Sequence, residues 1–202
     1  MANLFNMNNP VWVFMGKLVD MAILTVLWAV CSLPVITIGA STTALYDVTL
    51  KLSENKEGYI ISSFFHAFKR HFKQSTGIGL AAVFIGIFLL SDLYVYYHME
   101  SKIGVVLFTS FFILTILYVI TVIYLFPLRS HYDDMSSKKL LAIAFMTALK
   151  NPGWTLLMVV STASILAVGI FVMAPILIFS IGLIAYIHAK IINYADLVTQ
   201  YS

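Results

Sequence analysis

The chain is predicted to be an all-α, polytopic membrane helical bundle of about five transmembrane spans. A Pro/Gly break follows the first span, and amphipathic surface helices occupy the cytoplasmic loops. Three observations predict this. Of 202 residues, 61% are hydrophobic and only 10% charged, against about 45–50% and about 25% in soluble domains. So few charges cannot clothe a soluble globule, whereas lipid requires none. The apolar runs are long and continuous, which excludes a barrel of alternating segments of about ten residues. Finally, the basic residues are distributed very unevenly between the connecting segments.

A hydrocarbon core about 30 Å thick needs roughly 20 apolar residues in a helix. The stretches at approximately 14–38, 77–97, 103–126, 154–174 and 176–194 meet this or nearly so, in one integral membrane domain covering 1–202. The segment before them has no basic n-region or small-residue cleavage site and does not read as a removable signal peptide. "HMESK" joins the second and third spans as a tight hairpin, and the last two are divided near Pro175. An outward N-terminus leaves Lys17 and Lys102 outside and the other ten basic residues inside. The positive-inside rule therefore gives N-out, C-in. Trp12 then marks the outer interface and Trp154 the inner one.

Two inner segments carry helical patterning. Within 59–73, Ile61, Phe64, Phe65, Phe68 and Phe72 take one side, and Ser62, His66, Lys69, Arg70 and Lys73 the other. A basic amphipathic helix of this kind lies in the membrane surface, so Phe64, Phe65, Phe68, Lys69, Arg70 and Lys73 are expected to contact lipid or a partner. Segment 137–150 repeats the idea, with Ser136 or Ser137 as cap and Asn151-Pro152-Gly153 as stop. Phe64-x-x-Ala67-Phe68-Lys69 matches Phe145-x-x-Ala148-Leu149-Lys150, a local match that an internal duplication would produce.

"SLPVITIGASTTALYDVTLKL" (32–52) holds the break. Pro34 lacks an N–H, Gly39 relaxes the backbone, and Ser41 or Thr42 can cap a new helix. At the inner interface this is an elbow solvated by water. Within the bilayer, Pro34, Thr37, Gly39, Ser41, Thr42 and Thr43 would instead form a polar site, because irregular backbone is tolerated there only in protein or facing a water-filled cavity. This stretch and "EGYIISSFFHAFKRHFKQST" downstream, with "NPVWVFMGKLVDMAILTVLW" and "ALKNPGW", resemble the YesL-like family of bacterial integral membrane proteins across essentially the whole chain. The resemblance implies no specific reaction. It implies a setting, beside carbohydrate uptake systems of the ATP-binding-cassette (ABC) type and polysaccharide-degrading enzymes.

Chemistry-bearing clusters are sparse. Lys17 and Asp20 are spaced to pair on one helix face, and Asp47 and Lys51 likewise. Asp92 with Tyr96 forms a possible contact at the outer face, among belt tyrosines. Tyr186, His188, Lys190, Asn193 and Asp196 read as a helix rising into the cytoplasm, with His188 a proton-relay alternative. His131, Asp133 and Asp134 read as a solvated inner loop. Cys31 is a small apolar filler. Ala82-x-x-x-Gly86, Ala163-x-x-x-Ala167 and Ala185-x-x-x-Ala189 suit close helix packing. No metal-ligand spacing or phosphate-cradling loop is present, so neither cofactor nor metal is expected. The expected partners are the bilayer with its anionic inner leaflet, permease subunits of a carbohydrate ABC importer, or a second copy, and not nucleic acid. The functional expectation is a non-enzymatic accessory or regulatory subunit of such an importer. The alternative is a small transporter or permease component, although the Glu-Ala-Ala…Gly pattern of permeases is missing.

Overall fold

The computed structural model describes residues 10–54, 56, 58–99, 101–132, 135–171, 177–195 and 197. The expected division near Pro175, Asp133 and Asp134 of the inner loop, and Asp196 lie outside them. The described chain is all-α: α1 (Pro10–Ser32), α2 (Ile38–Ser53), α3 (Ile60–Tyr97), α4 (Lys102–His131), α5 (Ser137–Lys150), α6 (Pro152–Phe171) and α7 (Leu177–Tyr194). Among the described residues four helices, α1, α3, α4 and α6, are long and apolar enough to cross a membrane.

The break after α1 is a turn between two antiparallel helices. α1 stops at Ser32, just before the Leu33-Pro34 pair that disfavours helix. A single 3-10 turn, Val35–Thr37, follows, and α2 begins at once. Thr37 Oγ1 lies 2.5 Å from Cys31 O and 2.7 Å from Pro34 O, serving carbonyls that the break orphans. Thr37 also occupies the cap position of α2, with no side-chain cap bond. Ser41 and Thr42 are therefore not caps, as expected from the sequence, but the first turn of the helix. Their hydroxyls donate back to Thr37 O and Ile38 O.

Inter-helix contacts set the directions. Lys17 donates to Tyr186, and Gly182 N to Thr25 Oγ1, so α1 and α7 run antiparallel. Tyr46 meets His188 and Ser53 meets Asn193, so α2 runs with α7 and against α1. Gly39 abuts Gly79 and Ser75 while Asp47 acts on His71, so α2 and α3 run antiparallel. Tyr97 packs on Phe108 and Tyr118 donates to Ala82 O, so α3 and α4 form a hairpin. Its turn is capped by Ser101, which accepts from Gly104 N. Trp154 packs on Tyr194, pairing α6 with α7. The start of α1 and the end of α7 consequently share one end of the bundle, and Trp12 and Trp154 share it too. The expectation set these two ends apart; the structure brings them together, with α2, too short and polar to stand out as an apolar run, returning against α1.

α3 is also longer than expected. The segment at 59–73 is not a separate surface helix but the first part of one 38-residue helix, about 57 Å long. A change from polar to apolar side chains alters the medium a face meets; it does not interrupt backbone hydrogen bonds. α5 does stand apart, stopped by Asn151-Pro152. Its buried stripe is Leu140, Ala144, Thr147 and Ala148. Phe145 is partly exposed while its sequence counterpart Phe64 is fully buried, so the repeated motif occupies two different environments.

α2 lies at the centre. It touches α1, α3, α4 and α7 and is buried from Gly39 to Leu50, apart from partly exposed Thr42. Lipid offers helices no hydrophobic drive to associate, so close packing and hydrogen bonds must hold them. Gly39 and Gly79 provide the closest approach: a Cβ on Gly39 would fall 2.7 Å from Gly79 Cα. Two clusters complete the core. Leu45, Val48, Phe64, Ala67 and Tyr186 pack on one side of α2. Leu50, Tyr124, Leu128, Leu140 and Met158 pack on the other.

Candidate functional site

The polar residues of α2 and those facing it form a buried seam through the bundle. On α2, Ser41, Thr43 and Thr49 are fully buried, and each hydroxyl donates to the carbonyl four residues earlier. Such back-bonding satisfies a hydroxyl without a tertiary partner. Tyr46 and His188 form the node between α2 and α7. Their rings stack, and Tyr46 Oη lies 2.9 Å from His188 Nδ1. On the other side, Nε2 lies 3.0 Å from Thr162 Oγ1 and 3.2 Å from Met158 O. A carbonyl only accepts, which places the imidazole proton on Nε2 and makes Nδ1 the acceptor for Tyr46. His188 is thus a buried node, not the polar exit of a terminal helix.

The charged part of the seam lies where α2, α3 and α4 meet. Asp47 accepts from Lys51 at 2.5 Å, the i,i+4 pair its spacing predicts. Lys51 is half-exposed, so the bridge contributes about 0–1 kcal/mol. His71, fully buried, sits within the fields of Asp47, Lys51 and Arg129. Arg129 is buried at the C-terminal end of α4. It donates to Gln74 Oε1 and to the carbonyls of Tyr132 (3.1 Å) and Met135 (3.2 Å), tying down the connection to α5. A guanidinium also suits the negative end of a helix dipole. Ser75 Oγ is buried with no hydrogen-bond partner among the described residues. Sequence reasoning singled out neither His71 nor Ser75. The usable signal was the stripe Phe64, Ala67, His71, Ser75 and Gly79 on α3, whose helical spacing marks a packed face.

The expected site residues fall into three places. At the break, Pro34 is exposed together with Leu33, Val35 and Ile36, an apolar tip. Thr37 closes its carbonyls, and Gly39, Ser41 and Thr43 are buried in α2. Thr42 Oγ1 accepts from Trp28 Nε1 at 3.0 Å. These residues do not converge on an open polar site. On α3, Phe64 is fully buried, which corrects its assignment as a lipid or partner contact: it faces the core beside Leu45. Phe68 is partly buried, while Phe65, Lys69, Arg70 and Lys73 are exposed. At the far end of α3, Tyr96 packs on Phe111 within the α3–α4 hairpin, and Asp92 Oδ2 is enclosed with no hydrogen-bond partner among the described residues. Of the small-residue pairs, Ala185 and Ala189 are buried and Ala82 and Gly86 receive Tyr118, but Ala163 and Ala167 face outward. No cluster of three metal-ligating side chains occurs among the described residues.

The part of the chain that builds the seam also carries the family signal. Residues 21–93, from the middle of α1 through α2 to the end of α3, match the model of a protein family of unknown function, DUF624. Uncharacterized protein YesL of Bacillus subtilis (strain 168) is 28% identical over 181 residues, covering 89% of this chain and 84% of that protein. The chain is similar to YesL over most of its length. Uncharacterized protein YteU of the same organism is similar to this YesL-like chain as well, 27% identical over 155 residues, 75% of this chain and 68% of that one. No solved structure matches it.

Proposed function

We propose that this YesL-like chain is a non-enzymatic accessory or regulatory subunit of a membrane complex, working with a carbohydrate importer of the ABC type. The observation that carries the reading is the position of α2. A helix occupies the axis of the bundle, and its hydroxyls are turned onto its own carbonyls. A solute path through one chain would need polar groups facing an open lumen, whereas here they face one another. What is left for interaction is the outer surface at the basic end, where Phe65, Lys69, Arg70, Phe72 and Lys73 are exposed on α3. The importer setting is what the family resemblance implies.

The same arrangement supports an orientation. Every Lys and Arg except Lys102 lies toward the end of the bundle that holds the start of α1 and the end of α7. Under the positive-inside rule that end is cytoplasmic, so both ends of the described chain face the cytoplasm of a bacterial cell. A small transporter is the second reading, favoured by Tyr46, Asp47, His71 and His188 lying deep in a membrane bundle, where polar groups are costly and commonly functional.

The test is purification of the tagged full chain from its native membrane in mild detergent. Permease subunits of a carbohydrate importer should co-purify stoichiometrically and be lost from the Lys69→Glu/Arg70→Glu double variant. Recovery of the chain alone, as a stable homo-oligomer, would overturn this reading and bring the transporter forward, to be checked by solute uptake in reconstituted vesicles.

A further inference from the structure

Between α3, α4 and α5 runs a groove of about 910 Å³, within the size range of about 300–1,000 Å³ typical of small-ligand sites. Its body is apolar: Ile78, Ala81 and Ile85 on α3 face Leu114, Leu117 and Leu125 on α4. Leu141 and Phe145 of α5 flank it. One end is polar, formed by Lys73, Gln74 and Ser137. Lys73 is exposed and forms no ion pair with a carboxylate among the described residues. Arg129 donates to Gln74 Oε1, which leaves the Gln74 amide nitrogen as a donor. Ser137 opens α5, whose first turn contains no acidic residue and continues with Lys138 and Lys139. That end therefore offers positive charge and donors.

The wall from Lys73 to Ile85 extends about 18 Å along α3, close to the hydrocarbon depth of one leaflet, about 15 Å. Gly77 lines the groove, and a Cβ built there meets nothing within 4 Å. The packing of α3 therefore does not require this glycine. Its lack of a side chain keeps the groove open beside the polar end.

We propose that this groove holds one acyl chain of an anionic phospholipid from the leaflet at the basic end, with the phosphate at Lys73, Gln74 and Ser137. The proposal is independent of the importer assignment. Charge complementarity selects the occupant: the polar end repels a cationic amphiphile, and a neutral lipid leaves Lys73 without a counter-charge.

The test uses the full chain in phosphatidylcholine vesicles containing a trace of phosphatidylglycerol with a photoactivatable acyl chain. Adducts should concentrate at 77–85 and 114–125, and unlabelled phosphatidylglycerol, but not added phosphatidylcholine, should displace them. Lys73→Glu should lower labelling roughly five-fold, the scale expected for one basic residue at a membrane surface. Gly77→Leu should abolish it while leaving the melting temperature unchanged or higher, and Ala81→Leu is a second plug should that variant fold poorly. Labelling spread evenly over the outward residues Phe84, Phe88 and Ile103, or indifferent to headgroup charge, would overturn the proposal. So would chain-to-chain crosslinking through Ala81→Cys in a Cys31→Ser background, which would assign the groove to a second copy.

Discussion

His188 shows how far a residue's surroundings can depart from its place in the chain. Its partners, Tyr46 and Thr162, lie 142 and 26 residues away, so nothing in "AYIHAKIINY" marks it as a core residue. Polar residues gathering near a chain's end look like an exit from the membrane, and only the fold reveals that they face α2. Because Nδ1 is a buried acceptor, removing its donor leaves it unsatisfied. Tyr46→Phe should destabilise the protein by about 1–2 kcal/mol, seen as a lowered melting temperature in detergent. Tyr94→Phe, on an exposed ring, should leave that temperature unchanged. Asp47 and Lys51 were legible for the opposite reason, since both partners belong to one helix turn.

Among the elements, the apolar bodies of α4 and α6 could be read directly, although α4 continues through Pro127 to His131, past the expected end at 126. α3 could be read only in part. Its large aromatics drew attention to one face, yet the packed stripe consists mainly of small and polar residues, Ala67, His71, Ser75 and Gly79, with Phe64 at its start. Where helices approach closely, small side chains mark the interface and bulky ones are turned outward. Hydrophobicity alone therefore selects the wrong side. Two glycines, Gly39 at the α2–α3 crossing and Gly77 on α3, separate these roles. Gly39→Ala should weaken the α2–α3 crossing by about 1–3 kcal/mol, since the new methyl meets backbone that cannot yield. Gly77→Ala, facing open space, should be neutral or stabilising by up to about 1 kcal/mol through helix propensity. Paired thermal melts of the two variants check the contrast.

At the scale of the whole molecule, α2 was expected as a helix after the break but not as the centre of the bundle. It has only 16 residues and includes Asp47 and Lys51, so it is too short and polar to count as a span. It runs back against α1, and the start of α1 and the end of α7 share one end of the bundle, the end proposed above as cytoplasmic. Reporter fusions check this: a fluorescent protein that matures only in the cytoplasm should be bright at either terminus. An alkaline phosphatase active only outside should be silent at both and active between Tyr97 and Lys102.

The central position of α2 also dictates an order of events during synthesis. α1 can be released into the bilayer as soon as it emerges, but α2 is too short and too polar to be stable there alone. One flank of its resting place is α7, made more than a hundred residues later. Until the last helix arrives, the middle of the molecule has an open side, and Asp47, Tyr46 and the hydroxyl-rich start of α2 must wait at the membrane border. The surroundings of α2 are thus complete only once α7 is in place.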